Sequence, residues 1–205
     1  TPVIIFHNLL VVHPAVPAQS VAELIALAKA RPDALKFASS GEGSTNHLTA
    51  ALFQSLTNTR ITHVPYKGGG PALIDVLGGH VEAMFATVPS AVAYIKDGRL
   101  RALVVTGEKR EAALPSVPGA AEAGLPGLIV STWNGVLAPA ATPRNIVAML
   151  NAVITKIAHT QEMVERYAAQ AAEVYTTTPE QFAAIIRNDF AKWGTVVTDI
   201  GLRGK

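Results

Sequence analysis

Two kinds of hydrophobic pattern alternate along the first two thirds of the chain. Short apolar, β-rich runs alternate with segments whose apolar residues recur at helical spacing. The predicted strands cover residues 9–12, 35–38, 61–64, 81–86, 101–106 and 130–137. A repeated strand, helix and strand order is typical of a largely parallel sheet with helices on its faces. The pattern therefore predicts the α/β class.

Capping residues mark the ends of the predicted helices. Ser20 and Glu23 form a capping box at the start of a helix over residues 21–30, and Pro32 ends that helix. The other helices predicted in this part begin near Ser44, cover residues 71–77 before Gly78, and run from residue 89 or 90 to 96.

After Pro139 the pattern becomes almost entirely helical. Thr142 and Pro143 are predicted to be the N-cap and first residue of one helix, and another begins near Thr160. The last helix is predicted from Thr178, Pro179 and Gln181. The apolar stripe of the first of these helices consists of Ile146, Val147, Leu150, Val153, Ile154 and Ile157. Because little strand sequence remains, we expect these helices to pack on a sheet that the chain only partly contains.

Composition excludes several classes of protein. The 205 residues include 17 Lys and Arg, 15 Asp and Glu, and no Cys. A net charge of +2 with scattered basic residues argues against a nucleic-acid partner. Without Cys there is no disulfide framework, thiolate nucleophile or Cys-ligated metal, and the six His residues lack metal-ligand spacing. We therefore predict neither a cofactor nor a metal site. The absence of Cys is compatible with both an oxidising and a reducing compartment.

Two long stretches lack charged residues and are therefore tested as signal or membrane segments. They cover residues 1–22 and 123–143. The first contains three prolines and lacks basic residues before its apolar part. In the second, prolines surround a polar run, and the backbone groups that they free could not be satisfied in lipid. The sequence predicts a soluble protein.

The segment from Ser39 to Asn46 lies between a predicted strand and a predicted helix. Its glycines allow a ligand to approach the backbone, and a helix beginning at Ser44 directs unpaired N–H groups at that ligand. Such a site suits a carboxylate or a phosphate. The alternative is a glycine turn whose N-cap serves only its own helix. The segment is neither a Walker loop nor a complete dinucleotide fingerprint, since position 46 is Asn.

Two further loops follow predicted strands. The run Lys67–Gly68–Gly69–Gly70 comes after Tyr66, whose ring or hydroxyl could line a site or simply pack. Thr87 and Ser90 follow the next strand and can donate hydrogen bonds. Because ligands gather at the carboxyl ends of parallel strands, we expect the glycine loops to face one crevice.

Catalytic motifs are weak in this sequence. It contains neither a GxSxG elbow nor HExxH. One enzymatic alternative stays open: a hydrolase acting on small carboxylates that uses the hydroxyl of Ser44 or Ser90, with His47 as the base one turn along the helix. A further alternative is a protein that binds no ligand and serves as a stable remnant or an interaction module.

Several runs, in order, closely resemble the Bug family of extracytoplasmic solute-binding proteins of tripartite tricarboxylate transporters. The runs are LLVVHPAVPAQSVAELIALAKARP, FASSGEGSTNHLTAALF, HVPYKGGGPALIDVLGGHVEAMFATVPSAVAYIKDGRLRALVVTGEKREAALPSVPGAAEAGLPG and STWNGVLAPAATPRNIVAMLN. The resemblance implies a periplasmic, non-enzymatic receptor with the type 2 periplasmic-binding-protein fold. In that fold two α/β domains, joined by two crossover strands, close on a small organic anion that membrane permease subunits then receive.

The resemblance also implies a domain map with an incomplete domain one. Residues 1–8 correspond to a hinge or crossover segment, 9–129 to ligand-binding domain two, and 130–205 to the return crossover and helical part of domain one. The implied ligand-binding residues are Ser40, Gly43, Ser44, Thr45 and Thr87, with His63, Pro65 and Tyr66. The family also implies a monomer when the protein is complete. Asn134 departs from the family, which commonly has an aromatic residue there, and this makes the ligand's identity open.

Overall fold

A computed structural model describes residues 1–201. In chain order the elements are β1 (Pro2–Val12), α1 (Val21–Ala30), β2 (Lys36–Ser39), α2 (Thr45–Thr57), β3 (Thr62–Pro65), α3 (Gly69–Leu77), β4 (Ala83–Thr87), α4 (Val88–Lys96), β5 (Arg101–Val105), β6 (Ser131–Gly135), α5 (Arg144–Ala158), α6 (Gln161–Ala168), β7 (Glu173–Val174) and α7 (Pro179–Asp199). A short 3₁₀ helix covers Pro126–Leu128.

Contacts divide the chain into two units. Among the described residues, the large unit contains His7–Ser131 and residues 196–201, and the small unit contains Thr1–Phe6 and Thr132–Thr195. The first six residues thus group with the helical part, and the stretch from Val196 groups with residues 7–131. The roles that the resemblance implies for residues 1–8, 9–129 and 130–205 stay predictions, and residues 202–205 lie outside the described part.

The sheet of the large unit has the order β3-β2-β4-β1-β5. Strand β2 is parallel to β3 and to β4, whereas β1 is antiparallel to β4 and to β5. Four strands therefore point the same way, as the strand and helix alternation predicts, and β1 runs against them. Strand β1 also begins earlier than predicted, at Pro2 rather than Leu9.

Three phenylalanines form the centre of the large unit's core. Phe37 of β2, Phe53 of α2 and Phe85 of β4 are each at most 1% exposed, and their ring centroids lie 5.8–6.2 Å apart. Burying rings of this size contributes roughly 2–3 kcal/mol each. The cluster packs α2 against β2 and β4 and so fixes where the first turn of α2 lies.

The predicted helix starts are confirmed to within two residues in the large unit. The Ser20 hydroxyl accepts a hydrogen bond from the Glu23 N–H at 3.2 Å, as predicted, whereas the Glu23 carboxylate accepts from the Gln19 N–H at 2.7 Å rather than from that of Ser20. Helix α2 begins directly after Ser44. Helix α3 begins at Gly69, two residues before the prediction, and α4 begins at Val88.

In the small unit, the first part of β1 pairs with β6 and β7. Strand β7 was not predicted, because two residues carry no readable alternation. Around β6, the Trp133 Nε1–H donates to the Asp189 carboxylate at 2.7 Å, and its ring meets the buried Phe182 edge to face at 4.8 Å. One cap prediction was wrong: Pro143 is itself the N-cap of α5, and Arg144 is its first residue.

The last helix has the predicted cap. The Thr178 hydroxyl accepts from the Gln181 N–H at 3.2 Å, and the Gln181 side chain accepts from the Thr178 N–H at 3.0 Å. On α5, by contrast, the apolar stripe is only partly covered, with Leu150, Val153 and Ile157 between 44% and 54% exposed. Over residues 1–201, no helix is both long enough and apolar enough to cross a membrane.

Candidate functional site

Three helices of the large unit begin at one edge of its sheet. Helices α2, α3 and α4 follow β2, β3 and β4, which are adjacent and parallel. Their N-termini therefore lie together at the carboxyl ends of these strands, the usual position of ligands in open α/β sheets. Helix α1 begins elsewhere, because β1 runs the other way and its last residue, Val12, pairs with Ala83 at the start of β4.

The anion loop, residues 39–45, connects β2 to α2. Gly41 and Gly43 have φ angles of +136° and +72°, which favour glycine. The Ser44 hydroxyl donates to the Gly41 carbonyl at 2.7 Å and accepts from the His47 N–H at 3.4 Å. The N–H groups of the first two helical residues, Thr45 and Asn46, have no carbonyl acceptor within α2. They and the positive end of the helix dipole suit a carboxylate.

Two imidazole rings lie beneath the anion loop. The rings of His47 and His63 stack with centroids 3.6 Å apart and planes 5° from parallel. The His47 Nδ1 accepts a hydrogen bond from the Gly43 N–H at 3.1 Å, and the His63 Nε2 lies 2.6 Å from the Ser39 hydroxyl. Burial lowers the pKa of His47, with Glu42 opposing the shift. Burial and then the charge of His47 lower the pKa of His63 to about 4, again against Glu42.

Asn46 joins the anion loop to β4. Its Oδ1 accepts from the Ser40 hydroxyl at 2.6 Å, and its Nδ2 donates to the carbonyl of Phe85. Asn46 is only 6% exposed. Both ends of its amide are therefore used in fixing the loop, and the Ser40 side chain is turned toward the protein.

The second glycine loop lies directly beside the first. The Tyr66 N–H donates to the Ser39 carbonyl at 3.0 Å, and the Gly68 N–H donates to the Ser40 carbonyl at 3.1 Å. Pro65 pairs with Ser39 in the parallel register. The two loops that the sequence expected to share a crevice are thus hydrogen-bonded to each other.

The hydroxyl of Tyr66 has a protein partner. It donates to the Asp75 carboxylate on α3 at 2.5 Å. Burial together with this hydrogen bond raises the pKa of Tyr66 to about 12, and the bond from Tyr66 lowers the pKa of Asp75. The ring of Tyr66 is consequently held in place, while its hydroxyl is directed at α3.

The third loop carries Thr87 at the end of β4. The Thr87 hydroxyl donates to the Ser90 hydroxyl at 2.9 Å, which in turn donates to the Thr87 carbonyl at 2.9 Å. Thr87 pairs in register with Asn8 of β1, so their side chains lie on one face of the sheet. Asn8 is fully buried, and among residues 1–201 nothing hydrogen-bonds to its side-chain amide.

These contacts do not match the hydrolase alternative in which Ser44 is the nucleophile. The Ser44 hydroxyl donates to a backbone carbonyl, and its contact with His47 is to the backbone N–H rather than to the ring. The His47 Nδ1 is taken by Gly43. A serine nucleophile needs a hydrogen bond to its base. Over residues 1–201, moreover, no group of three or more His, Cys, Asp or Glu could hold a metal ion.

The sequence interpretation found the loops but not the residues that support them. Ser39, Asn46 and His47 were not among the predicted ligand-binding residues, although Ser39 and Asn46 belong to the glycine segment and His47 was considered only as the base of a hydrolase. The sequence did carry one sign of their role, since these polar residues lie where the first turn of a helix meets the end of a buried strand. Sequence alone does not show that these side chains point inward.

Residues 2–202 match the family model described as the tripartite tricarboxylate transporter family receptor. The chain belongs to this family. Receptor-family relatives include the protein BugT of Bordetella pertussis, 38% identical over 96% of this chain and 60% of BugT. A protein encoded in the tcbD-tcbE intergenic region of Pseudomonas sp. is also 38% identical, over 91% of this chain and 57% of that protein. The chain thus spans about 60% of the length of these relatives.

Solved receptor-family structures have the same fold. Rpa4515 of R. palustris, described with adipate, has a TM-score of 0.88 and 35% identity, covering 98% of this chain and 68% of that one. MatC from Rhodopseudomonas palustris with bound malate has a TM-score of 0.85 and 31% identity, covering 96% and 69%. The periplasmic binding protein BugD has a TM-score of 0.87 and 27% identity, covering 98% and 68%. The predicted α/β class and type 2 periplasmic-binding-protein fold are confirmed.

Proposed function

We propose that this chain is part of a periplasmic receptor that captures a small carboxylate, such as a di- or tricarboxylate, for a tripartite tricarboxylate transporter. The ligand carboxylate is received at the N-terminus of α2. The residues proposed to contact or line its site are Ser40, Gly43, Ser44, Thr45, Thr87, His63, Pro65 and Tyr66.

The anion loop is the observation that carries this proposal. The N–H groups of Thr45 and Asn46 and the positive end of the helix dipole all favour a negative charge, and the Ser44 hydroxyl holds the loop by donating to the Gly41 carbonyl. Each N–H donated to a charged oxygen contributes roughly 1.5–3 kcal/mol. These donors hold an anion without a buried Arg or Lys, which is consistent with the small net charge of the chain.

The relatives support the ligand class. One structure is described with adipate and another with bound malate, and both ligands carry two carboxylates. The proposal extends this class to the present chain without naming one acid. We propose a binding protein rather than an enzyme, since the family members are receptors and the Ser44 and His47 contacts serve the loop.

Transport requires that a membrane permease distinguish the loaded receptor from the empty one. A ligand that binds one conformation more tightly shifts the population toward it by its differential affinity. The proposed partners are therefore a small organic anion and the permease subunits of the transporter, with the complete receptor acting as a monomer.

Calorimetric titration of the 205-residue chain tests the proposal. We expect saturable binding of one or more of adipate, malate and citrate, and none of adipamide, which keeps the carbon chain but has no charge. If adipamide bound as tightly as the acids, or if only uncharged solutes bound, the carboxylate proposal would be wrong.

Two N-cap substitutions locate the site. Ser44→Ala and Ser20→Ala each remove an N-cap hydroxyl and should each lower the free energy of unfolding by about 1 kcal/mol. Only Ser44→Ala should also weaken acid binding, by about tenfold or more, because α1 begins at the opposite edge of the sheet. Equal affinities in the two variants would remove the α2 terminus from the site.

A further inference from the structure

The stacked pair His47 and His63 is not itself required for a helix terminus to bind an anion. His47, on α2, is 8% exposed, and its ring lies parallel to that of His63, on β3, at 3.6 Å. Two uncharged imidazoles can stack at this distance. Two imidazolium ions could not, since like charges this close and partly buried repel strongly.

Each ring is connected to one glycine of the anion loop. The His47 Nδ1 accepts the Gly43 N–H, so that nitrogen must keep its lone pair. The His63 Nε2 contacts the Ser39 hydroxyl, which accepts the Gly41 N–H at 3.2 Å and lies 3.1 Å from the Gly41 carbonyl. The left-handed backbone at both glycines is thus held from beneath by the imidazole pair.

The charged groups that act on the pair are few. Glu42, exposed on the loop itself, favours the imidazolium form of both rings, and the charge of His47 disfavours that of His63. Burial is the larger effect on each ring and lowers its pKa. Because the pKa of each ring in the folded protein lies below its ordinary value of 6.5, the neutral rings contribute their full stability to the fold above about pH 6.5. For His63 this contribution is lost as the pH falls toward 4.

We propose that His47 is a positioning residue of the anion loop, held in its neutral, hydrogen-bond-accepting form by its burial in the stack with His63. This inference rests on the proposed function, since it assigns the pair a role in carboxylate affinity. A proton on the His47 Nδ1 would face the Gly43 N–H and abolish that hydrogen bond. The loop would then lose the backbone shape that directs the Thr45 and Asn46 N–H groups outward.

The direction of the pH effect separates this role from direct ligand contact. An imidazolium that touched the ligand would strengthen binding of an anion on acidification. A positioning imidazole does the opposite, because the proton that adds favourable charge also removes the loop's support. We therefore expect carboxylate affinity to fall in acid.

Two substitutions at one position test the role. In His47→Gln the side-chain amide oxygen can still accept from Gly43 but does not titrate, whereas His47→Leu fills similar space without an acceptor. We expect His47→Leu to weaken adipate binding by about tenfold at neutral pH, the value of one hydrogen bond in this setting, and His47→Gln to bind within about threefold of the parent. Since adipate itself titrates in acid, affinities of parent and His47→Gln are compared at each pH between 8 and 4.

The ligand-free loop provides a second readout. In amide NMR spectra of the parent chain, the Gly43 resonance should titrate in acid together with the ring resonances of His47, and this movement should be absent in His47→Gln. Parent and His47→Gln with the same pH profile for Gly43 and for adipate would overturn the proposal. So would a parent that binds adipate more tightly in acid than His47→Gln does.

The two proposals fail in different ways. If the Gly43 resonance follows His47 but adipate, malate and citrate do not bind at any pH, the positioning of the loop is supported and the proposed function is wrong. If the acids bind and the Gly43 resonance ignores His47, the function stands and the positioning role is wrong.

Discussion

Asn46 provides the sharpest test of how the anion loop is held. Its side-chain amide is 6% exposed and connects the Ser40 hydroxyl, at 2.6 Å, to the carbonyl of Phe85 in β4. The substitution Asn46→Ala removes both hydrogen bonds and leaves the Phe85 carbonyl, on a fully buried residue, without this partner. The Ser40 hydroxyl is partly exposed and can turn to water.

The expected loss of stability follows from the two hydrogen bonds of the Asn46 side-chain amide. Each hydrogen bond contributes about 0.5–1.5 kcal/mol net, and a stranded buried acceptor adds about 1–3 kcal/mol. We expect Asn46→Ala to lower the free energy of unfolding by about 2–6 kcal/mol. Ser40→Ala removes only the outer bond and leaves the contact to β4 intact, so it should lower that free energy by about 1 kcal/mol.

Urea unfolding monitored by circular dichroism measures both losses, provided that the slope with denaturant is unchanged. The double variant should lose less than the sum of the single losses, because Ser40 and Asn46 share one bond. The reasoning would be refuted if Asn46→Ala cost no more than Ser40→Ala, or if the two losses simply added.

Three further substitutions test other parts of the account. Ala171, after α6, has a φ of +52°, so Ala171→Gly should relieve about 1 kcal/mol of backbone strain and raise the melting temperature. The control Ala169→Gly, at a φ of −61°, should lower it. The reverse order would show that Ala171 is not strained. Asn8→Leu should raise the free energy of urea unfolding by about 1 kcal/mol, since it replaces an amide without a partner among residues 1–201; a clear loss would show that the amide is bonded. Gly41→Ala places a Cβ 3.3 Å from the Tyr66 carbonyl at a backbone φ of +136°. It should lower the free energy of urea unfolding by about 1–3 kcal/mol. An unchanged unfolding midpoint would show that the loop tolerates a side chain at this position.

Local signals predicted the helix starts well. Ser20, Ser44 and Thr178 each cap a helix within the first turn, because a hydroxyl before an amphipathic run has one clear partner in the N–H three residues on. Pro143 shows the limit of such signals. It suits either the cap or the first helical position, and only the chain path before α5 decides between them.

Features of the fold that depend on pairing between distant parts of the chain were harder to predict from the sequence. Alternation of strand and helix predicts the shared direction of β2, β3, β4 and β5, since helical crossovers join parallel strands. Helix α1 lies between β1 and β2, so the same alternation would predict β1 parallel to the others, and its antiparallel direction is a departure from that pattern. The two residues of β7 are fixed by pairing with Ile4 and Ile5, far away in the chain.

The same difference between local and long-range features applies to the candidate site. Glycines and an N-cap predict the anion loop, because its backbone geometry is local. The stacking of His47 on His63 joins α2 to β3, and the bond from Asn46 to Phe85 joins α2 to β4. No spacing within the sequence encodes these contacts, since they depend on which strands are neighbours in the sheet.

Amide NMR of the 205-residue chain titrated with adipate tests the central claim most directly. The account predicts that the N–H resonances of Thr45 and Asn46, at the start of α2, shift most, together with Gly43. Saturable shifts confined to other parts of the chain, or no shift of these three amides at saturating adipate, would contradict it.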